Sequence, residues 1–144
     1  MPKRLIPLRA AAALVVLLPA LGHAAMPEPR RDAILADAAA AAKAADPAFA
    51  GFSAERGRAL YVGPHQANAD VPACATCHTQ DPRGRGRHVR TGRPIEPLAV
   101  SANPARFTDA AAVEKHFVRD CKNVLGRACT AQEKGDVLTF LIGQ

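Results

Sequence analysis

The sequence predicts an all-α fold of small helices. Capping residues mark two helix starts, Ser53 at one and the capping box Thr130-Ala131-Gln132-Glu133 at the other. No segment of convincing length alternates polar and apolar residues as a strand does, and there is no internal repeat. We therefore expect helices alone to build the fold.

The first predicted helix covers residues 31–45 and is rich in alanine, which favours helix intrinsically. Ile34 and Leu35 are its only large apolar side chains, so we expect it to dock weakly or to fray. Pro47 ends it. The alternative interpretation is a linker to a membrane or to a partner.

The second predicted helix runs from the Ser53 cap to about Val62, and Gly63-Pro64 stops it. A glycine inside a helix costs about 1 kcal/mol relative to alanine, so Gly57 indicates a close crossing with another helix. The candidate buried positions of this helix are Ala54, Leu60 and Tyr61.

Two further helices are predicted. The third begins at Thr108-Asp109, which supply a cap and an N-terminal acid, and continues to about Arg119. Its side chains at i, i+3, i+4 and i+7 share one face, and they are Val113, His116, Phe117 and Asp120. The last helix follows the capping box, ends at Gly143 and has an apolar face of Val137, Leu138, Phe140 and Leu141.

The stretch Cys74-Ala75-Thr76-Cys77-His78 is the strongest chemical signal. Two thiols at this spacing can each form a thioether with a vinyl group of a haem, and the adjacent His is then the proximal iron ligand. The alternatives are a redox Cys-x-x-Cys pair and half of a zinc site. The chain has no second Cys-x-x-Cys and no His-x-x-x-His, and a redox pair would not need His78. We therefore expect one covalent haem c on Cys74 and Cys77, ligated by His78.

The first 25 residues have the features of an export signal. The basic start Met1-Pro2-Lys3-Arg4 precedes an apolar run that is too short to span a bilayer, and small residues follow it. We expect cleavage after Ala24 or Ala25 and a periplasmic mature protein with no membrane insertion. An uncleaved anchor is the alternative.

Composition and charge narrow the class of protein. The formal net charge of +6 becomes +3 without the signal, from 16 Lys and Arg against 13 Asp and Glu. The exported location and the 4% of aromatic residues argue against a nucleic-acid partner. We assign residues 26–50 to an N-terminal helical extension and residues 51–144 to one compact haem domain.

The two cysteines outside the haem motif are Cys121 and Cys129. In an oxidising compartment, two such cysteines close in sequence predict a disulfide. On the chain-entropy model its short loop stabilises the fold by about 2–3 kcal/mol.

Residues 81–97 are rich in glycine and proline and are predicted to be a loop. The loop holds five arginines, which are Arg83, Arg85, Arg87, Arg90 and Arg93. A solvated charged loop is one interpretation. The functional alternatives are pairing with haem propionates and docking of an acidic redox partner.

Several stretches together carry a family resemblance: Ala54-Glu55-Arg56-Gly57-Arg58-Ala59-Leu60, Cys74-Ala75-Thr76-Cys77-His78-Thr79, Thr91-Gly92-Arg93-Pro94-Ile95-Glu96-Pro97-Leu98-Ala99, Pro104-Ala105-Arg106-Phe107-Thr108-Asp109 and Cys121-Lys122-Asn123-Val124-Leu125-Gly126-Arg127-Ala128-Cys129-Thr130. With them the chain resembles a class I cytochrome c. More specifically, it resembles the sphaeroides haem protein family of small bacterial periplasmic cytochromes that bind oxygen. The likeness covers nearly the whole mature chain.

The resemblance implies where the second iron ligand lies. In that family an Asn directly before the first disulfide cysteine holds the sixth iron position weakly and leaves on reduction, so that oxygen or nitric oxide can bind. A dihaem cytochrome is the usual electron donor. Here the matching residue is Asp120, and His116 stands where the family commonly has Trp.

Ligand chemistry and family register favour different residues for the sixth position. Imidazole is the stronger ligand in both oxidation states, which favours His116. The position of the ligand in the family, directly before the first disulfide cysteine, favours Asp120. We expect Asp120 nearest the iron and His116 beside it. In a further alternative His116 only lines the pocket and Asp120 pairs with a nearby arginine, so that water occupies the iron.

Two functions remain open at this point. One is a haem protein with a weakly held sixth site that binds a diatomic gas and accepts electrons from another cytochrome. The other is an electron carrier with fixed ligation, such as His/His. Met1 and Met26 are the only methionines, which argues against a Met/His carrier and favours gas binding over a plain carrier. A hydrolytic or thiol enzyme has no support, because every cysteine already has a predicted role and Ser53 and Ser101 have no nearby His.

Overall fold

The structure is a computed structural model that describes residues 28–144. Residues 1–27, with the expected export signal and its cleavage after Ala24 or Ala25, lie outside the described residues. The described chain forms five helices: α1 (Pro29–Ala45), α2 (Ala54–Val62), α3 (Ala75–His78), α4 (Ala110–Leu125) and α5 (Ala131–Ile142). Its only strands are β1 (Gly86–Arg87) and β2 (Pro94–Ile95). The predicted all-α fold is thus confirmed.

The crossing of α2 and α5 forms the centre of the fold. A side chain at Gly57 would collide with the carbonyl oxygen of Asp136 and lie 2.9 Å from the nitrogen of Val137, so only glycine permits this approach. The core beside the crossing consists of Tyr61, Ala73, Ala75, Val137, Phe140 and Leu141. On α2 the prediction of burial holds for Tyr61, but Ala54 is exposed because it lies on the solvent side of the first turn.

A buried carboxylate fixes the start of α2 against α5. Asp136 is 4% exposed and accepts hydrogen bonds from the Ser53 backbone N–H at 2.7 Å and from Arg56 Nε at 2.7 Å and Nη2 at 2.9 Å. A buried charge with three donors is satisfied, so it holds the two helices in one register.

The expectation that α1 docks weakly or frays is wrong, because α1 packs against α5. Arg31 is 4% exposed, and its guanidinium donates to the carbonyls of Pro104 at 2.8 Å and Arg106 at 3.1 Å. Ala42 is buried as well. The anchor is therefore a long arginine side chain and small alanines rather than a large apolar face.

Helix α4 extends to Leu125, six residues beyond the predicted end near Arg119. Cys121 and Val124 are buried, and the helix ends at Gly126, whose φ of 70° breaks the helical path. The expected disulfide joins Cys121 to Cys129, with Cα atoms 5.6 Å apart, and α5 starts directly after it with the predicted capping box. The end of α4 is thus tied to the start of α5.

The arginine-rich loop, residues 81–97, contains a short hairpin. β1 and β2 pair antiparallel, with Gly86 opposite Ile95 and Arg87 opposite Pro94. The segment is otherwise irregular, as its glycines and prolines predict. Among the helices of residues 28–144, none has the length and hydrophobicity to span a bilayer.

Candidate haem-binding site

The predicted haem motif forms one short helix. Cys74 is the N-cap of α3, and its carbonyl accepts hydrogen bonds from the N–H groups of Cys77 at 3.3 Å and His78 at 3.1 Å. Cys74 and Cys77 are three positions apart and hence on one face. Neither is in a disulfide, and both are half-buried. Two free thiols are therefore presented together beside His78.

The backbone after His78 is held by the Tyr61 hydroxyl, which donates to the carbonyls of His78 at 3.0 Å and Thr79 at 2.9 Å. Thr79 has a φ of 67°, which is unusual for a residue with a side chain. The bonds from Tyr61 fix this turn, and a fixed turn sets the direction of the His78 ring. Tyr61 is 1% exposed, and its two hydrogen bonds are part-buried.

The motif also contacts β1. A side chain on Gly86 would collide with the carbonyl oxygen of Cys77 and lie 3.0 Å from the Cα of His78. The glycine therefore lets the loop backbone lie directly on the motif. This contact brings β1, which consists of Gly86 and Arg87, against α3.

Burial sets the protonation of the motif. It lowers the pKa of His78 to about 4, so the imidazole is neutral near pH 7 and carries the lone pair that a metal needs. It raises the pKa of Cys74 to about 11, which keeps that thiol protonated. After burial, the carboxylate of Asp120 has the next largest influence on both pKa values. Asp120 thus lies within electrostatic range of the motif.

An apolar wall lies beside the motif. Besides Cys74 itself, five side chains pack against the core cluster while staying only partly buried: Leu60, Val62, Leu98, Phe107 and Phe117. Half-covered apolar side chains next to two thiols and a neutral imidazole are what a covalently attached, flat apolar cofactor requires. The residues present therefore fit a haem c.

The two candidate distal residues meet on α4, where both contact Arg119. The pairing of Asp120 with a nearby arginine, expected as one alternative, is present, although the sequence analysis did not name Arg119 as that arginine. Arg119 Nε donates to Asp120 Oδ1 at 2.6 Å, and Nη2 donates to Oδ2 at 3.0 Å. Nη2 also lies 2.8 Å from His116 Nδ1, while His116 Nδ1 and Asp120 Oδ2 are 3.7 Å apart. The hydrogen bond to Asp120 also raises the pKa of Arg119. The sequence spacing could have indicated this contact, because Arg119 is three positions after His116 and directly before Asp120.

The tautomer of His116 follows from this contact. An arginine can only donate, so His116 Nδ1 is the acceptor and the proton of the neutral ring is on Nε2. To bind iron through Nε2, His116 would have to move that proton to Nδ1 and give up the contact with Arg119.

Arg106 is a second residue that the sequence analysis did not single out as functional. It is half-buried, and its guanidinium donates to the carbonyls of Pro97 at 2.8 Å and Glu96 at 2.7 Å. Its positive charge also acts on His78. Burial lowers the pKa of Arg106, since few waters solvate its charge. Only its place in the stretch Pro104-Ala105-Arg106-Phe107 pointed to it.

The five loop arginines are all exposed. Arg85 pairs with Glu96 at 2.8 Å and Arg83 with Asp81 at 3.5 Å. Within residues 28–144 no carboxylate pairs with Arg87, Arg90 or Arg93. The loop thus carries an excess of positive charge.

Comparisons with known proteins agree with this geometry. The family model "Domain of unknown function (DUF1924)" matches residues 47–141. The cytochrome c-type protein SHP of Cereibacter sphaeroides is 50% identical over 92 residues, which are 63% of this chain and 70% of SHP. Cytochrome c'' of Methylophilus methylotrophus is 41% identical over 70 residues, 49% of each protein.

Solved structures give the same result. Oxidized SHP, described as an oxygen-binding cytochrome c, superposes with a TM-score of 0.72 at 44% identity, covering 79% of this chain and 96% of that one. Oxidized cytochrome c'' of Methylophilus methylotrophus superposes with a TM-score of 0.69 at 30% identity, covering 78% of this chain and 93% of that one. Sequence, fold and motif agree, and the chain belongs to the family of c-type cytochromes that includes SHP, with covalently bound haem c as its cofactor.

Proposed function

We propose that this protein is a periplasmic monohaem cytochrome c whose sixth iron position is exchangeable, so that it accepts electrons and binds a diatomic ligand, O2 or NO. The observation that carries the proposal is the state of the two distal candidates. Asp120 and His116 both accept hydrogen bonds from Arg119, so either residue must give up or distort that contact in order to bind iron. A ligand that has to leave another partner is weakly held, and the description of SHP as oxygen-binding supports the same function.

Each residue of the motif has a role in this proposal. Cys74 and Cys77 provide the two thioether links, and His78 provides the proximal imidazole. A bound haem supplies an iron that changes oxidation state and has a second axial position. Tyr61 and the turn at Thr79 keep the His78 ring in one orientation.

Asp120 is proposed as the weak distal residue. A carboxylate is a hard oxygen donor, which suits ferric iron and binds ferrous iron poorly. One helical turn moves a side chain about 5.4 Å along the axis, too far for His116 and Asp120 to lie equally over one metal. Because the disulfide fixes the backbone at Cys121, we place Asp120 nearer to the iron and His116 beside it.

The electron donor is proposed to be another cytochrome that presents acidic residues. The loop of residues 81–97 lies against the haem motif through Gly86, and its arginines Arg87, Arg90 and Arg93 have no carboxylate partner in the described chain. An acidic docking surface would complement that charge. A dihaem cytochrome is the donor type that the family resemblance implies.

Spectra of the mature protein test the proposal. The ferric form should be high-spin or mixed-spin, and the ferrous form five-coordinate and rapidly converted by carbon monoxide. Intact mass should show one haem that acid acetone does not extract, on a chain that begins at Ala25 or Met26. Asp120→Ala should change the ferric spectrum more than His116→Ala does.

A different spectrum would favour the carrier with fixed ligation. Low-spin spectra in both oxidation states that become high-spin in His116→Ala, but not in Asp120→Ala, would indicate His/His ligation. Extractable haem or bound zinc would contradict the cofactor assignment.

A further inference from the structure

Arg119 contacts both side chains that compete for the sixth iron position. Three of its N–H donors are used, two on the Asp120 carboxylate at 2.6 and 3.0 Å and one on His116 Nδ1 at 2.8 Å. These contacts hold both side chains in one orientation on the surface of α4. A side chain that turns to bind iron must give up its contact with the guanidinium or distort it.

We propose that Arg119 is the positioning residue that sets how much of the sixth iron position is vacant, because Asp120 and His116 must break their contacts with Arg119 before either can bind the iron. This inference rests on the proposed function, since it requires an exchangeable sixth position. Arg119 needs no contact with the haem or with a ligand to have this effect.

The geometry of α4 supports a specific clamp rather than an incidental surface pair. Arg119 adjoins Asp120 and is one turn from His116, so one side chain reaches both. The disulfide at Cys121 fixes the backbone beside Asp120, and that cysteine is 6% exposed. The two-point contact with the carboxylate also orients it, which a single lysine contact would not do.

The size of the effect follows from exposure. The Arg119 and Asp120 side chains are 63% and 39% exposed, so water screens the pair. Exposed pairs of this kind change an equilibrium by about two- to fivefold. Removing Arg119 should therefore shift the competition at the iron by that factor rather than abolish ligand binding.

The experiment is a titration of the ferric holoprotein with imidazole, read by absorption. Imidazole is neutral, so loss of the Arg119 charge acts little on the probe itself. Arg119→Gln frees both protein side chains to occupy the iron. We expect the apparent Kd for imidazole to rise about two- to fivefold, with a smaller high-spin fraction before imidazole is added. Arg119→Lys, which keeps the charge but not the two-point contact, should lie between.

The control is Arg127→Gln. Arg127 has a comparable two-point pair with Glu133, at 2.8 and 2.7 Å, and similar exposure, but it contacts neither distal candidate. Its substitution should leave the imidazole Kd unchanged.

A second comparison, in a variant that lacks both distal candidates, tests whether Arg119 acts through them. In the double variant His116→Ala, Asp120→Ala nothing remains for Arg119 to hold, so adding Arg119→Gln should no longer change the Kd. If the same rise persists there, or if Arg119→Gln has no effect in the native background, the clamp does not exist although the sixth position is exchangeable. If wild type binds neither imidazole when ferric nor carbon monoxide when ferrous, the proposed function fails, and the clamp with it.

Discussion

Tyr61 links the core to the haem motif through a single hydroxyl group. The ring packs against Phe140 with centroids 5.5 Å apart, while the hydroxyl donates to the carbonyls of His78 and Thr79. Burial raises the pKa of Tyr61, so the group remains a donor at all ordinary pH values. One residue therefore serves both the packing of the core and the orientation of the imidazole that we propose as the proximal ligand.

Replacing Tyr61 with Phe should destabilise the holoprotein by about 1–3 kcal/mol, because two buried carbonyls lose their donor while the ring packing is kept. Denaturant unfolding followed by circular dichroism measures the loss. Phe140→Leu provides the comparison, since it alters packing without removing a hydrogen bond. Equal stability of Tyr61→Phe and wild type would mean that water replaces the hydroxyl.

Glu133 should make stability depend on pH. The hydrogen bond from Arg127 lowers the pKa of Glu133 below its usual 4.5. A carboxyl whose folded pKa is lowered contributes stability above its unfolded pKa and loses it as the pH falls through the folded value. The urea midpoints of wild type and Glu133→Gln should therefore differ more at pH 7 than at pH 3. Gln can still accept from the Thr130 N–H, so the cap is retained. A difference that does not change with pH would contradict this.

At the level of elements, the crossing of α2 and α5 depends on the absence of a side chain at Gly57. Gly57→Ala places a methyl group against the Asp136 carbonyl, so the two helices must separate. We expect a loss of about 1–3 kcal/mol, as for overpacked cores, and a lower thermal midpoint.

Gly143→Ala is the matched control for Gly57→Ala. A Cβ there meets no atom closer than 3.4 Å and the backbone is right-handed, so its stability should stay within about 0.5 kcal/mol of wild type. Similar losses in the two variants would show that the helices adjust to the methyl group at position 57.

The elements that sequence analysis placed correctly are those with local signals. Ser53, Asp109 and Thr130 cap their helices as predicted, because capping involves residues three positions apart. The end of α4 was missed because most residues after 118 are polar. Only Cys121 and Val124 form the buried face of the last turns, too few to give a clear apolar pattern. The burial of Arg31 and the contact of Arg119 with His116 were missed because the partners of a long side chain depend on tertiary packing and rotamer choice.

At the scale of the whole molecule, charge is concentrated in one loop. If the loop of residues 81–97 guides an acidic donor, the rate of reduction should fall with salt, because charges are screened beyond about 8–10 Å at physiological ionic strength. Arg90→Gln with Arg93→Gln should slow reduction by a donor cytochrome at low salt and flatten the salt dependence. Stopped-flow kinetics measures both.

A variant of equal net charge controls for non-specific effects on this rate. Arg30→Gln with Lys43→Gln removes two charges from α1 instead of from the loop. It should leave the reduction rate near that of wild type. If both pairs of substitutions act alike, net charge rather than the loop controls association.

The bonds that close the fold also fix the order in which it can be assembled. Arg31 reaches carbonyls 73 and 75 residues further along the chain, and Ser53 and Arg56 reach Asp136 across 83 and 80 residues. Such distant contacts carry a large loop-closure cost and form only when both ends are available. The Cys74–His78 motif lies inside both loops, so a growing chain presents it in the open before α4 and α5 exist. If haem is attached at Cys74 and Cys77 as proposed, we expect the motif to be freely accessible to it until the last helix docks.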